Sequence, residues 1–90
     1  MEINFTPRGV DDLLKLLEEQ PKLARKLARL LREIRRHPFT GTGQPEPLKH
    51  EFTGWWSRRL DREHRLVYRI VTLDDGQQTC EVGQCYTHYT

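Results

Sequence analysis

A proline at position 21 divides a leucine-rich stretch into two segments, and this division is the strongest constraint on the fold. Before it, an apolar stripe at i, i+3, i+4 and i+7 predicts a helix whose inner face carries Val10, Leu13, Leu14 and Leu17. Thr6 and Pro7 precede that stripe as N-cap and first helical residue. A second helix is predicted from Gln20-Pro21 to about Arg36, with an inner face of Leu23, Leu27, Leu30, Leu31 and Ile34. Two helices with so tight a break are typical of an antiparallel hairpin.

The rest of the chain has the alternating pattern of strands separated by turns. Glu2 to Phe5 predicts a short first strand. Residues 37–45, rich in proline and glycine, predict a loop. Asp74-Asp75-Gly76 is typical of a hairpin turn. The remaining strands are predicted at Leu48 to Phe52, Trp55 to Leu60, Glu63 to about Val71, and about Gln78 to Tyr89.

These elements predict an α+β fold. An N-terminal strand and a two-helix hairpin pack on one face of a twisted, mainly antiparallel sheet of four to five strands. Ninety residues suit one domain, 1–90. With no long apolar run and no signal-peptide pattern at the N-terminus, we expect a soluble, cytoplasmic protein with no membrane partner. Cys80 and Cys85 are expected to be buried free thiols.

Basic residues are concentrated in the middle of the chain. Residues 22–69 carry thirteen Lys or Arg against five Asp or Glu, whereas each flanking segment has a net charge of −3. Such a block suggests a polyanionic partner. The basic outer face of the second helix has two interpretations, a solvated face or part of a nucleic-acid contact.

One acid is isolated within this basic block. Glu46 lies between Pro45 and Pro47, and both prolines restrict the backbone to extended conformations. Its surroundings are rich in cations: Lys49, His50, Arg58, Arg59, His64 and Arg65. The segment suits a general base beside phosphate-binding arginines. The alternative is a polar loop followed by a salt-bridged hairpin. Alternation on the strand after Glu63 places Arg65 on the face that the helices leave uncovered.

Aromatic and histidine side chains supply further candidates. Four aromatic side chains could stack on unpaired bases: Trp55, Trp56, Tyr86 and Tyr89. Because neighbouring residues of a strand point to opposite faces, one of the two adjacent indoles must pack in the core. His88 carries an imidazole that can donate or accept a proton near neutrality. The alternative for His88 is an exposed terminal side chain without a role. A zinc site built from histidines and a cysteine lacks any standard spacing, and no metal or cofactor is expected.

The same residues carry a resemblance to a known family. Its motifs here are Pro38-Phe39, Gly41-x-Gly43, Pro45-Glu46-Pro47-Leu48-Lys49-His50, Gly54-x-Trp56-Ser57-Arg58-Arg59, Glu63-His64-Arg65-Leu66-Val67-Tyr68, Cys85 and His88-Tyr89. The chain resembles the YoeB (Txe) toxins, part of the RelE-like group of toxin–antitoxin systems. The resemblance is dense over residues 36–69. Near the end, Tyr86-Thr87 stand where the family tends to have Arg-Tyr, and the final hairpin is a few residues longer.

The resemblance implies an endoribonuclease that cleaves mRNA in the ribosomal A site. In that family the positions matching Glu46, Arg65 and His88 act as general base, transition-state stabiliser and general acid. Positions matching Lys49, Arg59 and Tyr89 line the same cleft, and Trp55 adds a candidate stacking surface. A YefM-like antitoxin is the implied partner, and operator DNA would be bound only through that antitoxin. The toxin could also form a homodimer.

A second hypothesis keeps the fold without the catalysis. The altered Tyr86-Thr87 tail fits a non-catalytic homologue that binds RNA or an antitoxin, or represses an operon together with that antitoxin. RNA cleavage that depends on Glu46 separates the two hypotheses.

Overall fold

The computed structural model describes residues 1–86. In chain order its elements are β1 (Glu2–Phe5), α1 (Pro7–Glu19), α2 (Pro21–Arg36), β2 (Glu46–Pro47), a short 3-10 helix (His50–Phe52), β3 (Trp56–Arg59), β4 (Arg65–Thr72) and β5 (Gln78–Gln84). The two predicted helices and the first strand are confirmed.

The strands form one five-stranded sheet in the order β1-β5-β4-β3-β2. β1 runs parallel to β5, and the other three neighbouring pairs are antiparallel. The parallel pair arises because the helical hairpin separates β1 from the meander that follows it. The predicted α+β fold with a mainly antiparallel sheet is therefore confirmed.

The helices pack on one face of the sheet. The shared core joins Leu16 of α1 and Leu27, Leu30 and Ile34 of α2 to side chains of the sheet, among them Leu66, Tyr68, Cys80 and Val82. We call the opposite side of the sheet the open face. At the start of α1, the Gly9 N–H donates to Thr6 Oγ1 at 3.0 Å, which confirms the predicted N-cap.

The predicted inner stripe of α1 is wrong at three of its four positions, and only Leu13 packs against the core. Val10, Leu14 and Leu17 are about half exposed, whereas Gly9, Asp12 and Leu16 are buried. Two long-range contacts determine which face of α1 is turned toward the core. A Cβ on Gly9 would lie 2.5 Å from the Val82 carbonyl oxygen, so only glycine allows this approach. The buried Asp12 carboxylate accepts the Cys85 N–H at 3.0 Å.

Both cysteines are free and buried, as predicted. They belong to the same core cluster. Removal from water disfavours a thiolate, and burial accordingly raises the pKa of Cys80 to about 11 and that of Cys85 to about 12.

The strand predicted at Leu48 to Phe52 is wrong. Only Glu46 and Pro47 pair with β3, and the chain then turns into the 3-10 helix. A proline cannot donate to a ladder, and His50 has a positive φ of 59°, so pairing stops there. The later strands are confirmed with shifted ends. The last strand was predicted to reach Tyr89, but β5 ends at Gln84 and does not include Cys85 or Tyr86.

A register shift marks the middle of β4. Val67 pairs with Gln84, whereas Tyr68 pairs with Val82, which leaves Gly83 as the extra residue of a β-bulge. Within residues 1–86, no helix is long and apolar enough to span a membrane.

Candidate active site on the open face

Glu46 and Arg65 meet on the open face. Glu46 is on β2 and Arg65 begins β4, and one guanidinium nitrogen, Nη1, lies 3.9 Å from Glu46 Oε1. The Glu46 side chain is 57% exposed and that of Arg65 is 18% exposed. A solvent-accessible carboxylate thus faces a largely buried cation.

The segment that holds Glu46 is bent at both ends. Pro45 and Pro47 flank the acid, and the non-glycine residues Gln44 and His50 have φ values of 53° and 59°. Left-handed backbone at a non-glycine residue costs about 1–2 kcal/mol, and such strain clusters at functional sites. The two prolines restrict the arm, whereas the unfavourable φ values at its ends must be held by the surrounding structure.

Two further predicted cations lie near this pair. Arg59 on β3 is directly opposite Arg65 in the sheet register, so their side chains share the open face. Lys49 lies with Glu46, Pro47 and His50 along a shallow cleft of about 320 Å³. Both cations are exposed. The site thus combines one carboxylate with three cations, a composition that suits a phosphodiester.

The indole pair divides as alternation requires. Trp56 packs against the core, and its ring centroid lies 4.7 Å from that of Phe39. Trp55 lies on the open face above Gly83, with the Arg69 guanidinium 4.7 Å from its ring centroid. Arg69 is in turn paired with Glu81 at 2.7 Å. Trp55 is therefore the indole that can contact substrate.

Arg58 does not belong to the positive field predicted around Glu46. Its side chain is fully buried on the helix side of the sheet. Its guanidinium donates to the carbonyl oxygens of His37, Thr40 and Thr42 at 2.7–3.1 Å and to Glu33 Oε1 at 2.8 Å. Arg58 thereby fastens the 37–42 loop, which leads into the Glu46 arm. The sequence signal was the same alternation that places Trp56 in the core two residues earlier.

The loop clamp includes two more polar groups. Tyr68 donates its hydroxyl proton to the Pro38 carbonyl oxygen at 2.6 Å and accepts from Arg58 Nε at 3.2 Å. Glu33 also accepts the Thr42 N–H. That backbone hydrogen bond, with help from Arg58, holds the pKa of the Glu33 carboxyl below its ordinary value.

His64 and Tyr86 likewise do not lie at the site on the open face. His64 is buried, with its ring centroid 4.7 Å from that of Tyr86. The Tyr86 hydroxyl donates to Glu19 Oε1 of α1 at 2.7 Å, and Lys15 lies over the ring. This hydrogen bond to a carboxylate raises the pKa of the Tyr86 phenol. Tyr86 therefore packs against α1 rather than offering a stacking face.

His88 and Tyr89 lie outside the described residues. The described part of the site therefore places Glu46, Arg65, Arg59 and Trp55 on one side of the sheet, with Lys49 along the cleft beside Glu46. Its chemistry is that of a base and several cations arranged around a site open to solvent.

Known bacterial toxins share this architecture. The fold is that of the RelE-like toxins. A family model described as the YoeB-like toxin of bacterial type II toxin–antitoxin systems matches residues 5–89. The chain belongs to the YoeB toxin family, and the resemblance predicted from its motifs is confirmed.

Individual relatives agree with this assignment. Toxin YoeB of Mycobacterium bovis is 54% identical over 67 residues, which cover 74% of this chain and 79% of the relative. The structure of a YoeB/ParE toxin from Agrobacterium tumefaciens is 39% identical, with a TM-score of 0.91 over 99% of this chain and all of that one. A YoeB–YefM complex from Staphylococcus aureus contains a toxin that is 36% identical, with a TM-score of 0.82 over 99% and 98% of the two chains.

Proposed function

We propose that this YoeB-family toxin is a ribosome-dependent endoribonuclease that cleaves mRNA in the A site. Its main support is the solvent-accessible Glu46 carboxylate 3.9 Å from Arg65, on an open face that also presents Arg59, with Lys49 along the cleft beside Glu46. RNA cleavage by attack of the 2′-hydroxyl uses a base, an acid and a cation that stabilises the phosphorane.

Glu46 takes the proton of the 2′-hydroxyl in this reaction. The freed 2′-oxygen attacks the adjacent phosphorus, and the bond from phosphorus to the 5′-oxygen breaks. His88 donates a proton to the leaving 5′-oxygen, as the family resemblance implies. The products are a 2′,3′-cyclic phosphate and a 5′-hydroxyl end.

Arg65 stabilises the charge that builds on the non-bridging oxygens. Its side chain is only 18% exposed, so the cation is positioned before substrate arrives. Removing a preorganised charge donor typically costs about 10²–10³ in kcat. Arg59 and Lys49 are more exposed and serve to bind flanking phosphates, with Tyr89 of the family motif lining the same cleft.

Purified toxin and translating ribosomes that carry a short mRNA provide the test. We expect cleavage at an A-site codon, 2′,3′-cyclic phosphate ends, and far slower cleavage of the same mRNA free in solution. Failure of folded, antitoxin-free toxin to cleave on ribosomes would refute the proposal and favour a non-catalytic homologue that binds RNA or an antitoxin.

A YefM-like antitoxin is the partner that we propose for this toxin. The S. aureus relative is solved with YefM, and also as a dimer. On this chain, Val10, Leu14 and Leu17 form a half-exposed apolar stripe on α1 that suits a protein partner, and the cationic cleft suits acidic side chains. Reversing the charge of Arg59 and Arg65 should weaken antitoxin binding. Unchanged affinity would exclude the cleft from the interface.

The proposed partners also determine DNA binding and the cellular compartment. Operator DNA would be reached only through the antitoxin, and ribosome binding would place the toxin in the cytoplasm. Homodimer formation is tested by sedimentation of the free toxin across a range of concentrations.

A further inference from the structure

The turn between β3 and β4 is fastened to α2 by one lysine. Lys26 is half-buried on α2, and its Nζ atom donates to the carbonyl oxygen of Leu60 at 2.6 Å. The sequence pattern placed Lys26 on the basic outer face of α2, but its ammonium group instead reaches the residue that follows β3. A charged donor makes this hydrogen bond stronger than one between neutral groups.

The Leu60 carbonyl oxygen is available to Lys26 because the turn is irregular. In a regular antiparallel hairpin, two facing residues exchange both of their N–H to carbonyl hydrogen bonds. Leu60 donates its N–H to the His64 carbonyl oxygen at 3.0 Å, but the His64 N–H donates to Asp61 Oδ1 at 2.6 Å instead of returning to Leu60. Lys26 thus supplies the donor that the strand pairing does not.

Two arginines flank this turn and face each other across it. Arg59 precedes Leu60, Arg65 follows His64, and the two arginines are partners in the register of β3 and β4. Like charges directly opposite each other in a sheet destabilise the strand pairing. This end of the hairpin therefore tends to open unless other contacts close it, and only the closed hairpin presents both guanidinium groups to the same phosphate.

The other contacts of the turn do not replace the hydrogen bond from Lys26. The Asp61 carboxylate also accepts the Glu63 N–H at 2.8 Å, so it ties the turn to itself and not to a helix. Leu60 is 1% exposed in the core, but apolar burial is non-directional and does not fix the orientation of a carbonyl group. The hydrogen bond from Lys26 does fix that orientation, one residue away from Arg59.

We propose that Lys26 is a positioning residue that holds Arg59 and Arg65 together as one phosphate-binding pair. Because α2 packs on the side of the sheet opposite the open face, Lys26 acts through the Leu60 carbonyl group and not by contact with RNA. The effect on cleavage rests on the proposed function, whereas binding of an RNA phosphate by the pair requires no cleavage.

Binding of a non-cleavable RNA tests the pair. A short, labelled single-stranded RNA with 2′-O-methyl sugars is titrated with toxin at about 0.15 M salt, where distant charges are screened, and fluorescence anisotropy is followed. The apparent affinity falls with the fraction of toxin that holds the pair closed, and one lost hydrogen bond changes this fraction by about two- to tenfold. We expect Lys26→Met to raise Kd by that factor. Lys22→Met, which removes the same charge from an exposed position in the first turn of α2, should bind as wild type does.

A double-mutant cycle with Arg65→Ala distinguishes positioning from a direct effect of the lysine charge. If Lys26 acts through the pair, Lys26→Met should cause no further loss of affinity once Arg65 is absent. An equal loss in both backgrounds would show that Lys26 attracts the RNA itself and would overturn the inference.

Amide hydrogen exchange measures the turn without RNA. The Leu60 N–H should exchange about two- to tenfold faster in Lys26→Met than in wild type or Lys22→Met, because the turn that protects it opens more often. Exchange at the wild-type rate in Lys26→Met would show that the lysine does not hold the turn, which contradicts the inference.

Cleavage on ribosomes separates this inference from the proposed function. If both hold, kcat/KM of Lys26→Met falls by the same two- to tenfold factor as its RNA affinity, and Lys22→Met cleaves as wild type does. If wild-type toxin does not cleave, the proposed function fails, and the binding and exchange measurements still decide the role of Lys26. If wild-type toxin cleaves and Lys26→Met binds and cleaves equally well, the function stands and the inference is wrong.

Discussion

Replacing Arg58 by methionine tests the loop clamp that supports the site. Methionine keeps similar length without the guanidinium, so the carbonyl oxygens of His37, Thr40 and Thr42 lose their donor. At about 1 kcal/mol for each lost hydrogen bond, these three account for about 3 kcal/mol. Glu33, whose side chain is 29% exposed, is left out of this sum because water can replace its partner.

A loss of this size is large for a domain of ninety residues. Domains are stable by about 5–15 kcal/mol, and each kcal/mol shifts Tm by about 4–8 °C in chains of 60–100 residues. We expect Arg58→Met to lower Tm by about 12–24 °C and to lower the urea midpoint without changing the slope of the transition.

Urea unfolding followed by tryptophan fluorescence measures this effect, with Arg59→Met as matched control. Arg59 is the next residue on β3, but it is exposed on the open face, so its replacement should change the free energy of unfolding by no more than about 0.5 kcal/mol. Equal stabilities of the two variants would refute the clamp.

Three other predictions concern the core and the clamp. Cys80 and Cys85 should resist a disulfide reagent at pH 8 and react once the chain unfolds, since burial raises their pKa to about 11 and 12; rapid labelling of folded toxin would contradict this. The lowered pKa of Glu33 contributes stability that is present above its ordinary pKa of 4.5 and lost as pH falls through the folded value. Glu33→Gln should therefore lose less stability than wild type in acid urea titrations, and identical pH profiles would count against the clamp. Asp12→Ala should cost about 1–3 kcal/mol because the Cys85 N–H loses its buried acceptor, and a urea midpoint equal to that of wild type would rule this out.

The local sequence pattern was sufficient to predict the order of helices and strands, but not which face of α1 is turned toward the core. This helix has enough apolar residues for two overlapping stripes, one through Leu14 and Leu17 and one through Leu13 and Leu16. The second stripe faces the core because Gly9 and Asp12 contact β5 and the residue after it, about seventy positions away. Helical periodicity contains no information about such distant partners.

The site shows a similar division between local and distant information. Prolines on both sides of Glu46 and alternation around Arg65 were sufficient to predict an acid and an arginine on an uncovered face. Charge counting, in contrast, placed Arg58 with the other cations, although the alternation that buries Trp56 turns Arg58 to the same side. Its partners are loop carbonyl oxygens, which no side-chain pattern encodes.

Single-turnover cleavage on ribosomes tests whether Glu46 is the base of an RNA-cleaving site. Glu46→Gln removes the base and keeps the shape of the side chain, and Glu18→Gln makes the same change at an exposed position of α1. We predict that Glu46→Gln lowers the cleavage rate by about 10²–10⁴-fold, the range for general acid–base catalysis, and that Glu18→Gln cleaves as wild type does. Cleavage by the Glu46→Gln toxin at the wild-type rate would contradict the assignment of the base.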